Sequence, residues 1–251
     1  MKKTVSVILA LLICFSLFAN GSKESASASY KFASDCTWPP LEYVDESGKI
    51  VGFEIDLISE FQALSGKEMI VLNTGWDGIF AGLKNGAYDA VASGVTVTEE
   101  RKNTMDFSDT ILTVTQSILV KKGTEGLKTI DDLNGKKVGV QVGTTGDFAL
   151  DGKTQIVKMG YDEIPLAVED LINGNVDAVV CDSLIAADFV LANQKYQDLL
   201  VVTGTASEEV EEIAIAVAKG NTELLSIINS SLKTLNENGK IAELKAKYNI
   251  L

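Results

Sequence analysis

A chain of 251 residues with 35 acidic against 22 basic side chains and no histidine carries a formal charge of −13. That balance excludes a nucleic-acid binder, because a phosphate backbone needs cations to neutralise it. Histidine is the commonest metal ligand and general base, and the three cysteines, Cys14, Cys36 and Cys181, lack metal-ligand spacing, so neither a metal nor another cofactor is expected.

Lys2 and Lys3 precede an apolar run over residues 5–19, followed by Asn20 and Gly21. This is the pattern of a secretory signal peptide, with cleavage after Gly21 or, alternatively, after Ala28. No later stretch approaches the ~18 apolar residues of a membrane span, so a periplasmic or otherwise extracytoplasmic protein is expected. Cys14 raises lipid anchoring, but bulky Ile13 precedes it and Phe15 continues the run, which weighs against an anchor. Residues 22–29 form a Ser/Ala-rich tether.

Residues 30–34 read as a strand, broken by Pro39 and Pro40, which leave Trp38 on a rigid loop. Residues 53–64 form an amphipathic helix ending at Gly66, and a strand over 69–72 delivers Trp76 between glycines at its end. A short helix over 79–84 leads to a strand at 90–92, whose mouth is Ser93 and Gly94, followed by Val95 and Thr96. Thr98 is placed to cap a helix with Glu99 and Glu100 in its first turn and Arg101 one turn inside. Strand, helix and strand alternate as in doubly wound α/β domains, where ligands bind outside the carboxyl ends of the strands. The β-branched run 111–120 crosses into a second lobe. There a short helix at 130–133 and a strand at 137–142 lead to Gly143, Thr144, Thr145 and Gly146, which offer backbone N–H groups and hydroxyls to an anion. The P-loop lysine is missing, so phosphate is discounted. A strand at 156–158, a helix at 165–172, a strand at 176–180 ending near Asp182 and a helix at 184–192 follow. After a strand at 199–203, the acidic residues 207–212 read as a solvated connection. A strand over 213–218 returns to the first lobe, and helices at 222–235 and 240–248 close the chain.

An internal repeat organises these elements. LKNGAYDAVASG at residues 83–94 returns 88 positions later as LINGNVDAVVCD at 171–182, each copy ending a helix at Asn-Gly and starting a strand after Asp. Two similar α/β lobes result, the first from 30–113 with 213–251 and the second from 114–212. Cys36 and Cys181 stand beside strand ends as small buried thiols. Arg101 and Thr96 on one side of a crevice oppose Asp182 on the other, an arrangement that suits a zwitterion.

VGFEIDL at 51–57, GWDG at 75–78, ASGVTVTEER ending at Arg101, DFSD at 106–109, GKKVGVQVGTTG at 135–146 and DAVVCD at 177–182 together resemble the family-3 solute-binding proteins, the periplasmic amino-acid-binding proteins of ABC uptake systems. The resemblance runs from Tyr30 to Tyr248. It implies two α/β lobes joined by two crossover strands, the type II periplasmic binding fold, hinging closed over one free amino acid. It further implies a monomer that delivers its ligand to an ABC permease. By resemblance Arg101 holds the ligand α-carboxylate with Thr96, Thr145 and the N–H groups near Thr144. Asp182 and Ser93 take the α-ammonium, and Trp38 and Trp76 flank the side chain. Asp35 matches a position that reads a polar distal group, which leaves arginine, lysine, histidine and glutamine open. Gly94 stands where several basic-amino-acid binders have Ser, and Gly146 where a side chain often contributes. The same fold hosts cyclohexadienyl dehydratases, but Asp35 and Glu42, the other cleft carboxylates, sit in no recognisable acid/base pair, so binding without catalysis is expected. A freestanding amino-acid sensor is the remaining alternative.

Overall fold

The computed structural model describes residues 29–250, so the expected signal peptide, its cleavage site, Cys14 and nearly all of the tether lie outside the described residues. The first sheet contains β1 (Tyr30–Ser34), β5 (Met69–Asn73), β6 (Ala90–Val91), β7 (Met105–Phe107) and β13 (Ala216–Ala218), in the order β5-β1-β6-β13-β7. The second contains β8 (Leu112–Lys121), β9 (Lys137–Gln141), β10 (Val157–Tyr161), β11 (Ala178–Asp182) and β12 (Leu200–Ile213), in the order β10-β9-β11-β8-β12. In each, three neighbouring strands run parallel and an antiparallel strand follows, β13 beside β6 and β8 beside β11. The internal repeat thus occupies equivalent places, since its two strands, β6 and β11, are the central ones of their sheets.

The repeat also repeats its chemistry. Asp89 accepts the backbone N–H of Lys31 and Asp177 that of Lys137, both at 2.8 Å, so the Asp before each central strand fastens the start of its parallel neighbour. Gly86 and Gly174 both take positive φ, which lets each helix end and turn directly into its strand.

Helix α1 (Phe53–Ser65) buries Phe53, Ile55, Leu57, Ile58 and Phe61 against the first sheet and stops at left-handed Gly66. Short α2 (Ile79–Lys84) and α3 (Glu99–Lys102) follow in the first lobe. The second adds α4 (Thr145–Phe148), α5 (Ile164–Asn173) and α6 (Ser183–Leu191), and α7 (Thr222–Glu237) with α8 (Lys240–Lys247) packs back onto α1. Ile130–Leu133 is a 3₁₀ turn. Cys36 in the first lobe and Cys181 in the second are buried free thiols.

Two sequence expectations are corrected. Trp38 does not stand on a loop: Thr37–Trp38 forms β2, which pairs with β3 (Glu42–Val44), itself paired with β4 (Ile50–Val51), and the cis Pro39–Pro40 bond falls just after it. The prolines end the strand without excluding its last residue. The acidic residues 207–212 are not a solvated connection. They belong to β12, a strand from Leu200 to Ile213 that pairs antiparallel with β8 through three register shifts, the last between Ser207 and Glu211. Ser207, Glu211 and Glu212 pair with β8, whereas Glu208 and Glu209 lie in the irregular stretch between them and are exposed.

Candidate functional site

The carboxyl ends of β1 and β6 in the first lobe and of β9 and β11 in the second face one another across a cleft. It is lined by Asp35, Trp38, Trp76, Ser93, Gly94, Thr96 and Arg101 on one side and Gln141, Thr144, Thr145 and Asp182 on the other. Ten of the eleven expected site residues are brought together. Val95 is not: its side chain is fully buried in the first lobe's core, and its carbonyl accepts from Ala214 N–H at 3.1 Å. Ser93, Gly94 and Thr96 line the cleft, while the Val95 side chain packs into the core beside Ile79, Leu83 and Val91.

The lobes meet across this cleft. Arg101 Nη2 donates to Gly143 O at 3.1 Å, Gln141 Nε2 to Asp35 Oδ2 at 3.0 Å, and the Thr96 and Thr145 hydroxyls lie 3.4 Å apart.

Arg101 is positioned by its helix start. Thr98 caps α3, its hydroxyl accepting Arg101 N–H at 3.1 Å, so the side chain leaves a fixed first turn towards the cleft. The guanidinium also donates to Thr96 O at 2.8 Å and packs over Phe80 and Trp76, 4.9 and 5.6 Å from their ring centroids. Trp76 is held edge to face against Phe80. The surface partners that Arg101 could have chosen are engaged elsewhere, Glu99 with Lys102 and Asp106 with Lys219. Among the described residues Arg101 makes no ion pair, although it is only 8% exposed. Burial pushes its pKa down to about 10, opposed by the charges of Asp182, Glu211 and Glu100. The guanidinium N–H groups not spent on Thr96 and Gly143 suit a carboxylate.

Opposite it, Asp182 is the N-cap residue of α6 but makes no side-chain capping bond. Its Oδ1 accepts from Gln116 Nε2 at 2.7 Å. Burial pushes its pKa up to about 7 and the Glu211 charge adds to this, against the Gln116 hydrogen bond, the Arg101 charge and the nearby Trp38 indole. The indole N–H itself reaches no acceptor at hydrogen-bonding geometry. Ser93 Oγ accepts Asp35 N–H at 2.9 Å and donates to Glu42 Oε1 at 3.2 Å, which leaves one lone pair for an incoming cation.

Beneath Ser93 and Gly94 lie two fully buried carboxyl groups, Glu42 and Glu54, the latter accepting Gly94 N–H at 3.1 Å. Burial, together with the charges of Glu54 and Asp35, drives the Glu42 pKa well above the usual range. Burial pushes that of Glu54 to about 8. Among the described residues the buried side-chain polar atoms without a partner are Trp38 Nε1, Glu42 Oε2, Glu54 Oε2 and Gln116 Oε1, all at or just under this cleft. Such concentrated dissatisfaction marks a functional site, because each buried orphan costs free energy.

At the far end Asp35, nearly buried, accepts from Gln141 and from Thr37 Oγ1 at 2.9 Å; burial raises its pKa against these bonds. Gly94, at φ 56, lies under Trp38: a Cβ there would come within 3.0 Å of Nε1. A Cβ at Gly146 would meet Gln116 Oε1 at 2.8 Å. Both glycines therefore admit a neighbouring side chain, Trp38 at Gly94 and Gln116 at Gly146. Thr144 lines the cleft with its hydroxyl already engaged, donating to Gln141 O at 2.8 Å and accepting Asp147 N–H at 3.3 Å as the cap of α4.

Three functional residues escaped sequence reasoning: Gln116 on β8, Gln141 at the end of β9 and Glu211 on β12. Gln141 directly precedes the Val142-Gly143 turn, so the strand-end argument that found Ser93 applies to it equally. Gln116 is fully buried in a crossing strand, and only its break in a β-branched run signals it. Glu211 is camouflaged by neighbouring acids.

Over residues 30–250 the chain matches bacterial extracellular solute-binding proteins, family 3, and it belongs to that family. It is 33% identical over 260 residues to a probable histidine-binding protein of Neisseria gonorrhoeae, covering 99% of this chain and 96% of that one. It is 37% identical over 214 residues to an L-cystine-binding protein of Escherichia coli, covering 84% and 79%. Among solved structures, an ancestral arginine-binding protein bound to arginine superposes with a TM-score of 0.83 at 35% identity, covering 88% of this chain and 97% of that one. These relatives bear the names of binding proteins, not enzymes, and the shared architecture is that of the type II periplasmic binding fold.

Proposed function

We propose that this protein binds a free cationic amino acid, with L-arginine as the first candidate, and hands it to an ABC permease without changing it chemically. The observation that carries this reading is Arg101, a buried guanidinium with no carboxylate partner, facing Asp182 across a cleft narrow enough for one amino acid. Arg101 with Thr96 and the α4 start takes the α-carboxylate; Asp182 with the free lone pair of Ser93 takes the α-ammonium. The side chain then runs between Trp38 and Trp76 towards Asp35. The lining acids Asp35 and Asp182 outnumber Arg101, so a ligand with a side-chain cation balances the cleft better than a neutral one. The names of the histidine-, cystine- and arginine-binding relatives support an amino acid as the ligand class.

The lobe boundaries follow the crossings, 30–113 with 213–251 against 114–212, and ligand holds the two together. The chain works as an exported monomer; among the described residues no helix is long and apolar enough to cross a membrane, and no His, Cys, Asp and Glu cluster could hold a metal. Thermal unfolding of the purified protein against each amino acid, at a hundred times a micromolar dissociation constant, tests the reading. Binding to the folded state alone adds ~2.7 kcal/mol, and L-arginine is expected to give the largest shift. No shift with any amino acid, in protein freed of carried-over ligand, overturns it.

A further inference from the structure

We propose that Glu211 is an internal carboxylate that occupies the ligand-carboxylate side of the cleft and competes with an amino acid for it. Four glutamates stand between residues 208 and 212, and three of them, Glu208, Glu209 and Glu212, are exposed. Glu211 alone turns inward. The cause is a register irregularity: β12 advances from Ser207 to Glu211 while its partner β8 advances only from Gln116 to Val114. The extra residues bulge outward, carrying exposed Val210, and re-aim the next side chain into the cleft.

There Glu211 Oε2 accepts from Thr145 Oγ1 at 2.6 Å, from Thr96 Oγ1 at 3.2 Å and from Gln116 Nε2 at 3.2 Å. Thr96 belongs to the first lobe, Thr145 to the second and Gln116 to a crossing strand, so one oxygen ties all three parts together. A hydroxyl has a single proton to give. While Thr96 and Thr145 spend theirs on Glu211, neither can donate to a second carboxylate, and a ligand carboxylate arriving beside Arg101 meets a like charge. Glu211 therefore imitates part of the ligand, and an amino acid binds only by taking those hydroxyls from it. Affinity is set below what Arg101, Thr96 and Thr145 could deliver alone.

This inference rests on the reading that Arg101, Thr96 and Thr145 receive an α-carboxylate, and the experiment separates the two. Titration calorimetry with L-arginine is run on the wild type, Glu211→Gln, Glu211→Ala and, as a control that removes the same charge from an exposed neighbour, Glu212→Gln. Agmatine, which is arginine without its carboxylate, is the second probe. Glu211→Gln and Glu211→Ala are expected to bind L-arginine at least fivefold tighter than the wild type and agmatine no tighter, with Glu212→Gln within twofold of wild type for both. Unchanged or weaker L-arginine binding by both Glu211 variants overturns the competition. An equal gain for agmatine, or the same gain in Glu212→Gln, overturns it too, since general charge then explains the effect. If the wild type itself does not bind L-arginine, the functional reading fails, and that is recorded before any Glu211 variant is compared.

Discussion

Replacing Arg101 by methionine separates the contribution of the guanidinium to folding from its contribution to binding, because the two have different signs. In the ligand-free protein the charge is a burden. Burial lowers its pKa to about 10 from an ordinary 12.5, and at ~1.4 kcal/mol per pH unit this corresponds to roughly 3 kcal/mol against the charged form. Methionine fills much of the same volume against Phe80 and Trp76 and removes that penalty. Against this relief, Thr96 O and Gly143 O each lose a donor, at about 1–3 kcal/mol apiece. The terms offset, so the ligand-free unfolding midpoint should move by only a few degrees. Binding has no such compensation. A ligand carboxylate buried without its cation costs ~3–5 kcal/mol, more than a hundredfold in affinity. Calorimetry with L-arginine, alongside ligand-free thermal unfolding, measures both. Binding within tenfold of wild type would refute the assignment of Arg101, and a collapse of the ligand-free midpoint would show that the residue serves the fold first.

Three further outcomes follow from the same geometry. The folded pKa of Glu54 lies near 8, above its unfolded value of 4.5, so the contribution of this group to stability is full below pH 4.5 and is lost as pH rises towards 8. Glu54→Gln should accordingly stabilise the protein by on the order of a few kcal/mol at pH 9, with the advantage fading at pH 4.5, as followed by denaturant midpoints. Asp182, with its pKa raised to about 7, must be ionised to hold an ammonium group. L-Arginine affinity should therefore fall as pH drops through 7, and Asp182→Asn should bind weakly with that part of the pH profile flattened. Gly204→Ala would place a Cβ 1.9 Å from Lys128 O, a carbonyl already fixed by Thr205 N–H. Overpacking of this kind costs ~1–3 kcal/mol, and a loss of several degrees in the thermal midpoint is expected; an unchanged midpoint would show that the bulged strand yields freely.

Local punctuation made most of the fold legible. Asn-Gly followed by Asp-Ala-Val marks both central strands because a helix stop, a positive φ and a buried strand start must occur in that order, and the two copies occupy matching places in their sheets. Arg101 was legible for the same reason, as the Thr98 cap and the acids after it fix the helix that carries it. What stayed hidden depends on long-range pairing. The inward turn of Glu211 arises from an irregularity between β12 and a strand almost a hundred residues earlier, which no local pattern encodes. Gln116 and Gln141 act through contacts with Asp182 and Asp35, 66 and 106 residues away in the chain. Trp38 pairs with Glu42 although two prolines follow it, because a proline ends the pairing without excluding the residue before it.

The two crossing strands are each other's hydrogen-bonded neighbours, from Leu112 beside Ile213 to Lys121 beside Leu200. Two separate tethers could splay, shear or twist independently. A laced pair forms one ribbon, and where its lacing skips residues the strand bends and its local twist increases. Such a skip, between Ser207 and Glu211, sits where the ribbon passes from one sheet to the other. Glu211, the first residue paired again after this skip, reaches Thr96 and Thr145, so the irregular part of the ribbon lies beside the contacts between the lobes.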